Sequence, residues 1–158
     1  MKTLLTAAAL VALAAPAFAE GDVAKGEKAF KRCKACHTIA NGDDVIFKGG
    51  KTGPNLYGVV GRVAGTAEDF KYGKGLVEAS EAEQVWTEEE LAAYMTDAKA
   101  WLSDKGYAPK TKMTFKLKKG GEDVAAYLAS VGPVVEATDA AETEAESEDT
   151  SESTTATD

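Results

Sequence analysis

Cys33, Cys36 and His37 are the residues of this chain best suited to covalent and metal chemistry, and they lie within five consecutive positions. The surrounding segment, RCKACHTIA, contains both cysteines and the only histidine of the 158 residues. Two cysteines at this spacing are used in a disulfide, in a redox-active dithiol, in half of a zinc site or in a haem attachment site. The rest of the chain decides between these sites.

Three of these alternatives can be compared with the side chains available. A structural zinc ion needs four ligands, and the three soft or imidazole groups here are too clustered to complete a tetrahedron. A thioredoxin-like dithiol would lie between a strand and a helix of a parallel sheet, which the sequence does not predict. The order Cys-x-x-Cys-His is the signature of c-type haem attachment, in which both thiols form thioethers with one porphyrin and the imidazole binds the iron. We therefore predict one covalent haem c with His37 as an iron ligand, and a bare disulfide is the remaining alternative.

The second iron ligand cannot be a histidine, because the chain has only one. Met95 falls on the apolar face of a predicted helix and is interpreted as a core residue. Met113 lies in APKTKMTFKLKK, after Pro109 and outside any convincing helix, so it is the favoured ligand. Ligation by histidine and methionine raises the reduction potential and blocks the open iron position. This combination indicates an electron carrier and not an enzyme.

The elements that must position these residues are predicted to be four or so short helices with long glycine-rich connections. No run shows sustained period-two alternation, and residues 40–65 are predicted to be loop. Asp22 and Thr87 are suitable helix caps, and Glu90 completes a capping-box pattern with Thr87. Such helices give a thin core, which a large apolar ligand would fill. The predicted helices are about Val23–Arg32, a stretch from Thr87 through Ala98, a short piece with Trp101 and Leu102, and about Glu122–Ser130.

Both ends of the chain differ from its middle. Residues 1–19 have the pattern of a secretory signal peptide, with Lys2, an apolar run and small residues before a cleavage site after Ala19. Residues 134–158 form an acidic tail that we expect to be disordered. Between these ends, residues 20–133 are expected to form one domain. The tail holds nine of the 26 acidic residues, so the domain has 17 acidic and 17 basic residues. A neutral domain with an acidic tail argues against a nucleic-acid partner.

The ordered set of motifs resembles the class I c-type cytochromes, in the large-loop group related to mitochondrial cytochrome c, and most closely the periplasmic c-550 group of alphaproteobacteria. The resemblance runs from about Gly21 to Val131 and implies an all-α cytochrome c fold, with four to five short helices and long loops around one covalently bound haem. The motifs are GDVAKGEKAFKRCKACH, GGKTGPNLYGVVGR, FKYGKG, VWTEEELAAYMTDAKAWL, TKMTFKL and DVAAYLASV.

The resemblance also implies a role for each site residue. It makes His37 and Met113 the axial iron ligands, and Cys33 and Cys36 the thioether anchors. The remaining positions are the carbonyl of Pro54, which accepts from the His37 ring; Arg62, Tyr72 and Trp86 around the haem propionates; Tyr94 and Thr111 near the methionine; and Gly26, Phe30 and Tyr127, which pack the first helix on the last.

The function implied is a soluble, monomeric, periplasmic one-electron carrier. Its expected donor is a bc1-type complex, and its expected acceptors are a cytochrome c oxidase or other periplasmic reductases or peroxidases. Two other functions remain open: a haem enzyme or gas sensor with an open iron, and a subunit docked permanently in a larger complex. Lysines are expected to frame the exposed haem edge and to steer acidic partners. They are Lys31, Lys34, Lys48, Lys51, Lys110, Lys112, Lys116 and Lys119.

Overall fold

The computed structural model describes residues 21–133, which form five short helices and one small hairpin, with long loops between most of these elements. The predicted signal peptide and the predicted acidic tail lie outside the described residues. The helices are α1 (Val23–Phe30), α2 (Lys74–Glu81), α3 (Glu88–Thr96), α4 (Ala98–Asp104) and α5 (Gly121–Ser130), and the antiparallel strands are β1 (Ile39–Asn41) and β2 (Asp44–Phe47).

Helices α1 and α5 pack against each other and bring the two ends of the domain together. A Cβ on Gly26 would lie 1.9 Å from the carbonyl oxygen of Asp123, so only glycine allows the backbones to come this close. One turn later, the rings of Phe30 and Tyr127 have their centroids 5.6 Å apart. As predicted, Asp22 caps α1: its side chain accepts a hydrogen bond from the backbone N–H of Lys25 at 2.9 Å.

Helices α3 and α4 are separate, as predicted, but the break between them comes earlier than the sequence indicated, which had placed Ala98 in the first of the two helices. The hydroxyl of Thr87 accepts from the N–H of Glu90 at 3.1 Å, as the capping pattern predicted. The break occurs at Asp97, whose backbone is extended with φ −154° and whose side chain caps α4. Ala98 therefore begins α4 and does not continue α3.

The carboxylate of Glu90 does not complete the capping box. It accepts from Nε1–H of Trp101 and from the ammonium of Lys105, and in this way links the start of α3 to α4. This contact is tertiary, and the local pattern gave no sign of it.

Two elements differ from the predictions. The hairpin occupies part of the segment that was predicted to be loop, and α2 was not predicted at all. Helix α2 begins at Lys74, and Gly73, the N-cap residue before it, offers no side chain to cap it. Its Gly75 packs against the carbonyl of Ala108 and the side chain of Leu102. Contacts with residues distant in sequence therefore stabilise α2, which its local sequence pattern did not predict.

The hydrophobic core surrounds a cavity instead of filling the centre of the domain. Met95, Leu91 and Trp86 belong to the buried cluster and also line the cavity. Within residues 21–133, no helix is both long and apolar enough to span a bilayer. The largest fully buried side chains are Phe30, Ile39, Leu102, Leu117, Val124 and Leu128.

Candidate functional site

A cavity of about 240 Å³ opens between the helices, and most of its lining is apolar. Helices α1, α2, α3 and α5 contribute to its walls, together with the loops that connect them. The structure brings every sequence-predicted site residue to this one cavity. These residues are Cys33, Cys36, His37, Pro54, Arg62, Tyr72, Trp86, Tyr94, Thr111 and Met113.

The Cys-x-x-Cys-His segment follows α1 in a series of tight turns. The N–H groups of Cys36 and His37 both donate to the carbonyl of Cys33, at 3.1 and 3.0 Å. These turns place both sulfurs and the imidazole along one wall of the cavity. The two cysteines are not joined by a disulfide. Burial raises the pKa of the Cys33 thiol to about 11, so this thiol is protonated at neutral pH.

His37 is oriented by a hydrogen bond from its ring. Nδ1 lies 2.8 Å from the carbonyl oxygen of Pro54. Because a carbonyl can only accept, Nδ1 carries the proton, and the lone pair is on Nε2. Burial lowers the pKa of His37, which favours the neutral imidazole that a metal requires. A metal-ligating histidine commonly has its second nitrogen held in this way.

Two methionines reach the cavity, and different structures position them. The hydroxyl of Thr111 accepts from the backbone N–H of Met113 at 3.1 Å and lies 2.6 Å from the hydroxyl of Tyr94, so α3 anchors the Met113 segment. Met95 lies on α3 itself and is only 8% exposed within the hydrophobic core. Its carbonyl accepts from Leu117 N–H, which ties the chain after Met113 to α3.

Arg62, Tyr72 and Trp86 form a polar corner of the cavity. The guanidinium of Arg62 donates to the carbonyls of Tyr57 and Asn55, each at 3.2 Å, and has further N–H groups beyond these two bonds. Its backbone carbonyl accepts from Trp86 N–H at 2.9 Å. Burial lowers the pKa of Arg62 and raises that of Tyr72. This corner therefore offers a partly desolvated cation and N–H donors suited to carboxylates.

Two cation–π contacts at the cavity were not anticipated from the sequence. The guanidinium of Arg32 lies 5.2 Å from the ring centroid of Phe115, and Nζ of Lys112 lies 5.3 Å from that of Phe70. All four residues line the cavity. Phe70 lies in FKYGKG beside Tyr72, Lys112 and Phe115 lie in TKMTFKL beside Met113, and Arg32 directly precedes Cys33. These positions were the only available signal, because pairing across the cavity cannot be inferred from spacing.

The donor set fits a covalently attached haem. Two thiols, an imidazole with a free Nε2 and a thioether lie on one apolar cavity, and a cationic corner matches the two propionates. Within the described residues, no group of three or more His, Cys, Asp or Glu side chains is placed to hold a metal ion. The zinc alternative therefore lacks ligands in residues 21–133, whereas the two cysteines, the histidine and a methionine suited to a c-type haem all line the cavity.

Comparison with known proteins identifies close relatives, although no protein-family model matches the chain. Cytochrome c2 of Rhodobacter capsulatus is 58% identical over 136 residues, which cover 83% of this chain and 98% of that protein. Cytochrome c-551 of Roseobacter denitrificans is 54% identical over 134 residues, covering 82% and 95% of the two chains.

A solved structure supports the same relationship. Ferric cytochrome c-550 from Paracoccus versutus is 56% identical, with a TM-score of 0.69, and the match covers 72% of this chain and all of that chain. The expected all-α cytochrome c fold is confirmed by this similarity. The chain belongs to the cytochrome c2/c-550 family of class I c-type cytochromes, which are electron carriers, not enzymes, and carry one covalently attached haem c.

Proposed function

We propose that this chain is a periplasmic one-electron carrier whose haem iron is bound by His37 and Met113. The observation that carries the proposal is the convergence of His37, Met113 and both cysteines on one apolar cavity. The Pro54 carbonyl occupies Nδ1 of His37 and leaves Nε2 to bind the iron. The bound haem supplies the one-electron iron couple.

The side chains that would hold the cofactor come from two parts of the chain. Cys33 and Cys36 would form the thioether bonds, and His37, from the same short segment, would bind the iron. Thr111 and Tyr94 hold the backbone of Met113 beside the cavity, where its thioether would serve as the second protein ligand. With both ligands supplied by the protein, the iron would have no open position for oxygen or small substrates.

We assign the polar corner to the haem propionates. Arg62 supplies a cation with unused N–H donors, and Tyr72 and Trp86 add side chains with polar tips. Two carboxylates in a partly desolvated cavity are costly unless donors and positive charge surround them. These residues therefore orient the cofactor and reduce the cost of burying its charge.

Docking takes place through a basic surface beside the cavity, which we call the lysine rim and which consists of Lys34, Lys48, Lys51, Lys110 and Lys112. All of its members are exposed. Opposite charge on a partner accelerates encounter, and the effect decreases as salt screens the surface. We propose a bc1-type complex as the donor, and a cytochrome c oxidase or other periplasmic reductases or peroxidases as acceptors, in weak complexes that dissociate quickly.

Replacing each methionine in turn tests the ligand assignment. Met113→Ala should abolish the near-infrared iron–sulfur absorption band of the oxidised protein and lower its reduction potential, because the thioether ligand is lost. Met95→Leu is the matched control, because it keeps the volume of a buried side chain and should retain the band. Survival of the band in Met113→Ala, or its loss in Met95→Leu, would contradict the assignment.

Export can be tested separately. If residues 1–19 are a signal peptide, the mature protein recovered from the periplasmic fraction begins at Glu20. Mass spectrometry of the purified holoprotein measures this directly. A mature protein that retained residues 1–19 would contradict the proposed location of the cleavage site.

A further inference from the structure

The lysine rim carries positive charge that the described part of the chain does not neutralise. The ion pairs within residues 21–133 hold Lys25, Lys74, Lys105 and Lys116. No rim lysine takes part in them. The rim is therefore a cationic surface that has no ion pair with residues 21–133.

The rim is assembled from three separate chain segments. The backbone N–H of Gly50 donates to the carbonyl of Lys34 at 2.8 Å, which places the turn carrying Lys48 and Lys51 beside the cysteine segment. On the third segment, which carries Lys110 and Lys112, Lys112 lines the cavity. Arg32 lies over Phe115 and connects the two sides, since both residues are exposed and line the same cavity.

The acidic tail, residues 134–158, carries the opposite charge and follows Pro133, the last described residue. It contains nine acidic residues and no lysine or arginine. Pro133, the last described residue, packs on Gly58: a Cβ there would lie 3.2 Å from Cδ of Pro133. Leu56 and Val59, on either side of Gly58, line the cavity. The tail therefore begins at the loop that forms one wall of the cavity.

The length of the tail allows it to reach the rim. A chain of its 25 residues has a root-mean-square span of about 25–30 Å if it behaves as a random coil. A domain of about 100 residues has a radius of gyration of only about 13 Å. Tethering at this length gives an effective concentration in the millimolar range, so even a weak interaction is populated.

We propose that the acidic tail binds the lysine rim of its own molecule and competes there with acidic partner surfaces. Many weak charge pairs, without a fixed apolar contact, give a contact that salt weakens and that a partner can displace. The competition rests on the proposed docking function of the rim, whereas the binding of tail to rim does not. At low ionic strength, the tail therefore slows the association of the protein with acidic partners.

A full-length holoprotein with a neutral tail tests the binding. Backbone amide resonances of the reduced protein are compared with those of the natural chain, at about 0.01 M and about 1 M salt, where the screening lengths are about 30 and 3 Å. We expect differences at low salt that concentrate at the rim lysines and their neighbours and disappear at high salt. The tail substitutions are Glu136→Gln, Asp139→Asn, Glu142→Gln, Glu144→Gln, Glu146→Gln, Glu148→Gln, Asp149→Asn, Glu152→Gln and Asp158→Asn.

Matched lysine variants locate the contact. In the background of Lys48→Gln and Lys51→Gln, neutralising the tail should cause smaller shifts, because part of the binding surface is gone. Lys28→Gln with Lys99→Gln removes the same charge from exposed positions on α1 and α4 that do not line the cavity, and should leave the shifts unchanged.

Three results would overturn the proposal: superimposable spectra at low salt, shifts centred away from the rim, or shifts that vanish on dilution. The last would indicate that a second copy is the binding partner.

Rates of association with an acidic partner should rise about tenfold at low salt when the tail is neutral. Net charge alone would also raise them, so the amide shifts decide. No partner is present in that measurement, and its failure is thus distinguishable from failure of the proposed function.

Discussion

Gly53 lies flat against the imidazole of His37, so that a Cβ at position 53 would be 2.5 Å from Cε1 of the ring. Its N–H also donates to the carbonyl of Cys36 at 2.8 Å, and Pro54, the next residue, accepts from Nδ1 of His37. The segment 53–54 therefore fixes both the position and the rotation of the imidazole.

Gly53→Ala should displace the ring of His37, because a methyl group cannot fit at this distance. Overpacking of this kind costs about 1–3 kcal/mol. We expect a lower unfolding free energy together with an altered haem absorption spectrum in the holoprotein. Gly42→Ala is the control: Gly42 has φ +58° but open space around it, so the variant should lose stability through backbone strain and keep the natural spectrum. Equal spectra for both variants would show that Gly53 does not position the ring.

Thr111→Val should destabilise the domain more than Tyr94→Phe. The valine removes the acceptor of Met113 N–H and the partner of the Tyr94 hydroxyl, whereas the phenylalanine removes only one bond. A lost hydrogen bond costs about 1 kcal/mol, and a buried group left without a partner costs about 1–3 kcal/mol. Denaturant unfolding of the two single variants and the double variant measures the coupling. Additive effects would contradict the shared hydrogen bond.

Gly26→Ala should be among the most destabilising single-methyl additions, because its Cβ would lie 1.9 Å from the carbonyl oxygen of Asp123, where α1 packs on α5. We expect a loss of about 3 kcal/mol or more in the free energy of unfolding. Gly132→Ala, after α5, has its nearest neighbour at 3.3 Å and should cost much less. Thermal unfolding of the two holoproteins gives the comparison, and similar midpoints would mean that α1 and α5 can separate at little cost.

Asp97 should make the stability of the domain depend on acid pH. The hydrogen bond from Lys116, followed by those from the first N–H groups of α4, lowers the pKa of Asp97 below its usual 3.8. A carboxylate with a lowered folded-state pKa stabilises the fold above pH 3.8, and this contribution is lost as the pH falls through the folded value.

Asp97→Asn should therefore reduce stability at neutral pH, and the difference from the natural protein should shrink in acid. Unfolding curves recorded from pH 7 downward measure this difference. In the Lys116→Gln background the effect of Asp97→Asn should be smaller, because the principal charge partner is absent. A difference that stayed constant with pH would contradict the role of the ionised carboxylate.

The chemical centre could be predicted from the sequence because its residue types are rare and their spacing is local. Cys33, Cys36 and His37 are close in sequence, and Met113 was the methionine outside a predicted helix. The helix caps at Asp22 and Thr87 could also be predicted, because each capping hydrogen bond joins residues only three positions apart. The roles of Pro54 and Arg62 came only from family resemblance.

Elements that depend on distant contacts could not be predicted. Helix α2 has no side-chain cap, and its Gly75 packs against residues around Ala108. The strands of the hairpin are too short to show a period, and Val45 and Ile46 point apolar side chains to solvent. The sequence places Glu90 where a capping box requires it, yet its carboxylate accepts hydrogen bonds from Trp101 and Lys105 and so connects α3 to α4.

The crossing of α1 on α5 has a consequence for the order of events as the chain is synthesised. The first helix of the domain finds its partner only in the last one, so the domain cannot close until nearly the whole chain has emerged. Cys33 and Cys36 follow directly after α1 and are therefore accessible on an open chain long before α5 arrives. We therefore expect haem to be attached to these cysteines most readily before α5 packs on α1.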